Sequence, residues 1–169
     1  MSSFTGKFYP YKNNHSNRKL FGGQLSAIGY TLGNTYGDGN CQFYAIAQHV
    51  TPETEYDEDD KHTCIRREIC EYIRENAERF SMYLDTDETD GLDEYLEEMA
   101  ADGTWGDNLT LQAAAELYNL NITMFRFTGK AGTPFQMCIS PENTQQEMRA
   151  VYLAYWMDQH YDVVTRSDE

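Results

Sequence analysis

Residues 36–47 read Tyr-Gly-Asp-Gly-Asn-Cys-Gln-Phe-Tyr-Ala-Ile-Ala, and this stretch decides the fold more than any other part of the 169-residue chain. Its first half is rich in Gly, Asp and Asn, which favour tight turns and helix N-caps. Its second half opens an apolar series at helical spacing: Phe43, Ile46, Ala47 and Val50. The pattern predicts a tight loop followed by a half-buried helix that begins near Cys41.

Cys41 is the candidate nucleophile of this stretch. A thiol at a helix start lies among free backbone N–H groups at the positive end of the helix dipole. This setting lowers the pKa of the thiol and favours the thiolate, which is the nucleophilic form. The same N–H groups can stabilise an oxyanion once a carbonyl is attacked. The alternative is a structural cysteine, because free Cys is among the most buried residue types.

A candidate base stands near the other end of the chain, where residues 160–162 read His-Tyr-Asp after an apolar and aromatic run at 150–156. Two short strands joined by residues 157–159 are predicted. Residues i and i+2 of a strand share a face, so His160 and Asp162 project together, and the carboxylate can hold the imidazole tautomer that accepts a thiol proton. Asp158 is near enough to compete, although a turn role is favoured there.

Three segments of the chain resemble the ovarian-tumour (OTU) domain cysteine proteases. Asp38-Gly39-Asn40-Cys41, with the residues that follow, is similar to the Cys-loop motif of this family. Residues 103–115 resemble its central segment, and His160-Tyr161-Asp162 resembles its C-terminal histidine motif. The three occur in the family's order and together span about residues 25–165, which is nearly the whole chain.

The resemblance implies an α+β fold of the papain-like, OTU type, with a mostly antiparallel or mixed sheet packed by helices. It also implies hydrolysis of the isopeptide or peptide bond at the C-terminus of ubiquitin or a ubiquitin-like modifier. By position, Cys41 is the nucleophile, His160 the general base and acid, and Asp162 the orienting acid. Asp38 would shape the Cys loop, whose backbone N–H groups stabilise the oxyanion.

Substrate contacts are assigned to Gly39, Asn40 and Trp105. For Trp105 the alternative is a place in the core, where large aromatic side chains are more often found.

The chain departs from the family's pattern at two places. Gln42 and Tyr44 stand where an apolar residue and an arginine are commoner, and Asp107-Asn108 replaces the commoner Gly-Glu. Neither departure touches the presumed triad, so activity is expected to persist while specificity is left open.

The composition limits the partners. A formal net charge of −15 argues against nucleic acid, because phosphate binding needs the opposite sign. Residues 53–60 and 85–98 carry runs of acidic side chains. They are either solvated surface or a docking face for a partner with a basic patch, and ubiquitin presents such a patch.

No apolar run is long enough for a transmembrane helix, and the N-terminus lacks the apolar stretch of a secretory signal. The four cysteines show no paired spacing, which favours a reducing compartment. We therefore expect no membrane association and a cytoplasmic location, with the nucleus as an alternative, or the host cytosol for a viral or bacterial effector. His49, His62, Cys64 and Cys70 match no zinc-ligand spacing, so no metal and no cofactor are expected. We expect a monomer.

The chain is predicted to have an N-terminal arm at residues 1–24 and one catalytic domain at residues 25–169. A long helix is predicted over roughly 63–80, and another helix capped by Asn108 or Thr110. Strands are predicted over 120–127 and 135–139.

Three functions fit these observations. The first is an active deubiquitinase or a protease for a related modifier. The second is a catalytically silent ubiquitin-binding module. The third is a papain-like protease of an unrelated substrate, such as a viral polyprotein.

Overall fold

The computed structural model describes residues 15–35, 37–84, 90–129, 132–142, 144, 146–156 and 160–168. The helices are α1 His15–Ala27, α2 Cys41–Ala47, α3 Lys61–Glu75, α4 Ala77–Ser81, α5 Asp90–Met99 and α6 Asn108–Leu117. The strands are β1 Tyr30–Leu32, β2 Leu120–Arg126, β3 Phe135–Ile139, β4 Arg149–Trp156 and β5 His160–Arg166.

The five strands form one sheet in the order β1-β5-β4-β2-β3. The pair β2–β4 is parallel, and the other neighbouring pairs are antiparallel. β4 and β5 pair with Trp156 opposite His160 and Ala154 opposite Asp162. The start of β5, which carries the predicted histidine motif, therefore pairs with β4, whereas β1 pairs with the end of β5, Val164–Arg166. The prediction of an α+β fold with a mixed sheet packed by helices is confirmed.

Helices cover both faces of the sheet. Alternate residues of β4 point to opposite faces, so they contribute to two different cores. Val151 and Leu153 belong to the larger core, which includes the apolar faces of α2, α3 and α6. Ala154 lies on the other side, in a smaller core with two side chains of α1, Phe21 and Leu25. The start of α2 packs beside β5, which brings the two predicted catalytic segments to the same part of the molecule.

Two predicted elements differ from the structure. The helix predicted over 63–80 is two helices, because the chain leaves helical geometry at Asn76, whose side-chain amide donates to the carbonyl of Tyr72 (2.8 Å). The arm predicted over residues 1–24 includes most of α1, so its boundary with the catalytic domain falls within a helix packed on the sheet. Residues 1–14 lie outside the described residues.

Across the described ranges, no helix combines the length and the apolar character needed to cross a bilayer.

Candidate active site

The loop before Cys41 is held tightly by its own backbone. Cys41 is the first residue of α2, and the Asp38 carboxylate accepts a hydrogen bond from the Asn40 N–H (3.1 Å), which closes an Asx turn. Gly39 has φ of +88°, and a Cβ there would stand 2.0 Å from the carbonyl oxygen of Gly103. Only glycine fits this position. The loop-shaping role assigned to Asp38 is supported by this turn.

The sulfur of Cys41 lies inside the protein, and only 1% of the residue is exposed. Burial raises the pKa of the thiol to about 11, and the negative charge of Asp162 adds to this rise. Hydrogen bonds from the backbone of Tyr161 and Gln42 lower the pKa, but by less. The prediction that the helix start lowers this pKa is therefore wrong for this arrangement. The helix is only seven residues long, and its first turn is shielded from water, so desolvation of the thiolate outweighs the N–H groups. The thiol is protonated at neutral pH, and a base has to remove its proton.

His160 and Asp162 lie side by side on β5. The Nε2 atom of His160 is 2.9 Å from Oδ1 of Asp162, and both side chains are buried. Because Nε2 faces the carboxylate, proton exchange with a thiol falls to Nδ1. The backbone of Tyr161, between the two residues, hydrogen-bonds the sulfur of Cys41, so the nucleophile lies against the start of β5. The competing residue Asp158 lies outside the described residues.

Four donors converge on the Asp162 carboxylate. Besides His160, the backbone N–H of Thr35 (2.9 Å) and its hydroxyl (3.1 Å) donate to Oδ1, while Nη1 of Arg18 donates to Oδ2 (2.9 Å). Burial raises the pKa of Asp162, but the hydrogen bond from His160 and the charge of Arg18 outweigh it and hold the pKa below its usual range. The group is ionised at neutral pH, as an acid that orients an imidazole must be.

The side chain of Asn40 joins the loop before Cys41 to the loop of residues 100–107. Its Oδ1 accepts hydrogen bonds from Nη2 of Arg66 (2.6 Å) and from the N–H of Gly103 (3.0 Å). Its Nδ2 donates to the Asp102 carboxylate (3.0 Å), and the residue is only 3% exposed. The side chain assigned to substrate binding is therefore taken up within the protein, and any substrate contact at Gly39 or Asn40 falls to their backbone.

Arg66 of α3 completes this assembly. Its buried guanidinium donates to the carbonyls of Met99 (2.7 Å) and Thr104 (2.8 Å) in addition to Asn40, and it lies over the ring of Phe43, 4.1 Å from the ring centroid. One side chain thus holds the two loops and the first turn of α2 together.

Sequence reasoning missed Arg66, Thr35 and Arg18. Arg66 carries a signal that could have been used, because it stands three residues before Ile69 and seven before Ile73 on the apolar face of α3, where a charge needs a buried partner. Thr35 and Arg18 carry none, because they reach Asp162 across 127 and 144 residues of sequence.

The two departures from the family's pattern contact each other. Gln42 is buried, and its amide donates to the backbone carbonyl of Asp107 (3.1 Å) and accepts from the hydroxyl of Thr110 (2.6 Å). Asp107, rather than Asn108 or Thr110, is the N-cap of α6, and it accepts from the Thr110 N–H (3.0 Å). The absence of a side chain at Gly106 makes space for the Gln42 amide, because a Cβ there would lie 2.3 Å from Gln42 Oε1. Gln42 and Asp107 therefore act as one unit that fixes α6 beside α2.

Trp105 is half-buried between the core and the surface. It packs against the larger core, and it lines an open cleft of about 520 Å³. Tyr161 and Tyr155 lie in the same cleft, with their ring centroids 4.8 Å apart. Because Tyr161 follows His160 directly, the cleft begins beside the candidate catalytic residues.

The remaining histidines and cysteines have other surroundings. His49 Nε2 lies 3.2 Å from the carbonyl of Tyr152, and His62 stacks on Tyr44 with centroids 3.9 Å apart. Cys64 and Cys70 are buried, and burial raises the pKa of Cys70 to about 11. Within the described part of the chain, no three His, Cys, Asp or Glu side chains gather as a metal site would require.

The match to known proteins covers most of the chain. Residues 36–161 match the family model described as OTU-like cysteine protease. The chain therefore belongs to the OTU-like cysteine proteases, and its fold is the papain-like fold of that family.

Curated relatives and solved structures give the same result. "OVARIAN TUMOR DOMAIN-containing deubiquitinating enzyme 10" of Arabidopsis thaliana is 31% identical over 160 residues, which are 94% of this chain and 41% of that protein. Human "OTU domain-containing protein 5" is 27% identical over 146 residues, covering 83% and 23% of the two chains. The chain thus spans about two fifths or less of the length of these two relatives.

The OTUD1 OTU domain matches this chain with a TM-score of 0.75 and 20% identity over 93% of this chain and 99% of that one. An OTU deubiquitinase from Wolbachia pipientis wMel, solved bound to ubiquitin, gives a TM-score of 0.61 at 14% identity over 83% and 98% of the chains. These likenesses establish the fold.

Proposed function

We propose that this chain is a cysteine-dependent deubiquitinase that hydrolyses the bond at the C-terminus of ubiquitin or a ubiquitin-like modifier. The proposal rests on one observation: Cys41, at the start of α2, lies close to the buried His160–Asp162 pair at the start of β5. Membership of the OTU-like cysteine proteases and relatives named as deubiquitinating enzymes support the choice of substrate.

The first half of the proposed reaction forms a thioester. Nδ1 of His160 takes the proton of the Cys41 thiol as the sulfur attacks the carbonyl carbon of the modifier's last residue. The oxyanion that forms is met by backbone N–H groups at the start of α2. The imidazolium then gives its proton to the departing amine, and the carbon–nitrogen bond breaks.

The second half releases the modifier. His160 takes a proton from a water molecule, which attacks the thioester, and the proton returns to the leaving sulfur of Cys41. The products are an amine and a carboxylate, and the thiol is regenerated. Asp162 keeps the imidazole in the tautomer that protonates Nε2 and offsets the imidazolium charge in both halves. The side chains named here need no metal or cofactor for these steps.

We also propose that ubiquitin or polyubiquitin reaches the site through the cleft that Trp105 lines, and that the chain works as a monomer in the cytoplasm or the nucleus. All catalytic groups come from one chain. The four cysteines, all within the described residues, form no disulfide, which fits a reducing compartment.

Cleavage of ubiquitin bearing a C-terminal fluorophore, together with a panel of diubiquitin linkages, tests the proposal. We expect turnover by the parent chain and none by Cys41→Ala, while Cys64→Ala, which removes another buried thiol, keeps it. Binding of diubiquitin without cleavage would favour the silent module. Neither binding nor cleavage would favour a protease of an unrelated substrate.

A further inference from the structure

We propose that Arg18 of α1 is a positioning residue for the catalytic acid Asp162, so that α1 is part of the catalytic apparatus. The inference rests on the proposed function, because it assigns a role to Asp162 in that reaction. Arg18 lies outside residues 36–161, the stretch that matches the family model.

Arg18 and His160 bind different oxygen atoms of the Asp162 carboxylate. Nη1 of Arg18 donates to Oδ2, whereas Nε2 of His160 and the Thr35 donors lie on Oδ1. The second amino group of Arg18, Nη2, donates to the backbone carbonyl of Gly33. With both ends of the guanidinium engaged, the carboxylate cannot rotate to present its other oxygen to the imidazole.

The helix that carries Arg18 is itself firmly held. Phe21 and Leu25, three and seven residues further along the same face of α1, are fully buried against strands of the sheet. Arg18 is therefore fixed by packing and not by the ion pair alone. The side chain of Arg18 is 24% exposed, while that of Asp162 is 1% exposed. The positive charge of the guanidinium therefore stabilises a carboxylate that water cannot solvate.

Loss of Arg18 should change turnover and leave substrate binding alone. Without Arg18, Asp162 loses its donor on Oδ2, and the imidazole is oriented by a less constrained carboxylate. The contacts of Arg18 with Asp162 and Gly33 lead to the catalytic acid, so we expect the change in kcat and not in the Michaelis constant.

A double-mutant cycle on kcat for a fluorogenic ubiquitin substrate tests this role. We expect Arg18→Met to lower kcat on the order of 10-fold with KM within about twofold of the parent. In the Asp162→Asn background, the same substitution should lower kcat by less than about twofold, because the group it positions is already altered. A general structural role would give the same loss in both backgrounds, and that outcome would overturn the inference, as would an unchanged kcat of Arg18→Met.

Two further variants serve as controls. Lys19→Met removes an exposed charge from the same helix and should leave kcat unchanged. Arg18→Lys keeps the charge but has no planar fork with which to reach Asp162 and Gly33 together, so kcat should lie between those of the parent and Arg18→Met. If Arg18→Met fails to fold in a thermal melt, Arg18→Lys carries the cycle in its place.

A second measurement separates this inference from the proposed function. If the parent chain cleaves no ubiquitin substrate, the proposed function fails, and the cycle is repeated on the alkylation rate of Cys41 by iodoacetamide at pH 8, resolved by mass spectrometry. We expect Arg18→Met to slow alkylation several-fold in the parent background and not in Asp162→Asn. Equal slowing in both backgrounds, or none in either, would overturn the role of Arg18.

Discussion

Cys41 and Asp162 are both buried, yet burial has opposite outcomes for their charge. Asp162 receives four hydrogen bonds, one of them from the Arg18 guanidinium, and these overcome the cost of desolvation and keep it ionised. For Cys41, burial outweighs the backbone hydrogen bonds from Tyr161 and Gln42, and the pKa of the thiol rises to about 11. In this arrangement the thiol keeps its proton until His160 removes it, and nucleophilic attack depends on general-base catalysis.

The pH dependence of Cys41 alkylation follows from this raised pKa. A thiol reacts as its thiolate, and the thiolate fraction rises as the pH rises towards the pKa, so the sign is an increase with pH. We expect the rate of carbamidomethylation at Cys41 by iodoacetamide to grow about tenfold per pH unit between pH 7 and pH 10. The rate is measured for each cysteine by mass spectrometry.

The exposed Cys138 serves as the internal comparison, and it should react faster than Cys41 at pH 7. A rate at Cys41 that is already constant between pH 6 and pH 8 would show a preformed thiolate–imidazolium pair, contrary to this expectation.

At the scale of elements, contacts between loops position the start of α2, which carries Cys41. Arg66 joins the loop before Cys41 to the loop of residues 100–107 and to Met99 at the end of α5. Gly39 and Gly103 approach so closely that neither loop could shift alone. The first turn of α2 is therefore positioned from both sides.

Removing the Arg66 guanidinium should loosen this assembly. Arg66→Met removes the guanidinium donor from the carbonyls of Met99 and Thr104 and one of the two donors to Oδ1 of Asn40, so we expect a loss of about 2–4 kcal/mol in the free energy of unfolding. Arg67→Met is the matched control, because Arg67 is exposed and should change stability by less than about 1 kcal/mol. Urea denaturation measures both. Equal effects of the two variants would contradict the role given to Arg66.

Local sequence patterns predicted the elements well, and contacts distant in sequence account for what they missed. The i, i+2 spacing of His160 and Asp162 and the apolar spacing after Cys41 predicted the strand and the helix on which these residues lie. Thr35 and Arg18 could not be found in this way, because the loop after β1 and the packing of α1 on the sheet bring them to Asp162. The pKa of Cys41 was predicted in the wrong direction, since burial depends on packing that the sequence near a helix start does not reveal.

At the scale of the whole molecule, the net charge of −15 is unevenly spread. Exposed acidic side chains line α5, among them Glu94, Glu97 and Glu98. The same helix is tied to the site, because the hydroxyl of Tyr95 donates to the Asp107 carboxylate (2.9 Å). A docking face for a basic partner is therefore better supported on α5 than on the acidic segment at residues 53–60.

Ionic strength tests whether this face attracts the substrate. Salt screens charges over about 8 Å at physiological strength, so raising NaCl from 50 to 300 mM should increase KM about threefold with kcat unchanged. Changing Glu94, Glu97 and Glu98 to Gln should raise KM and flatten the salt response. Changing Asp57, Glu58 and Asp59 to their amides removes the same charge from the other acidic segment and should leave KM near the parent value. Equal effects of the two triple variants on KM would contradict a specific docking role for α5 and would leave the acidic side chains a general role in solubility.

The central claim is that Cys41 is the nucleophile that attacks the C-terminus of ubiquitin. The most direct measurement is covalent capture by ubiquitin carrying a C-terminal electrophile, followed by mass-spectrometric mapping of the modified cysteine. We predict one ubiquitin per chain, attached at Cys41, no adduct with Cys41→Ala, and a much slower reaction with His160→Ala, which removes the base. An adduct at Cys64, Cys70 or Cys138, or undiminished labelling of Cys41→Ala, would contradict the account.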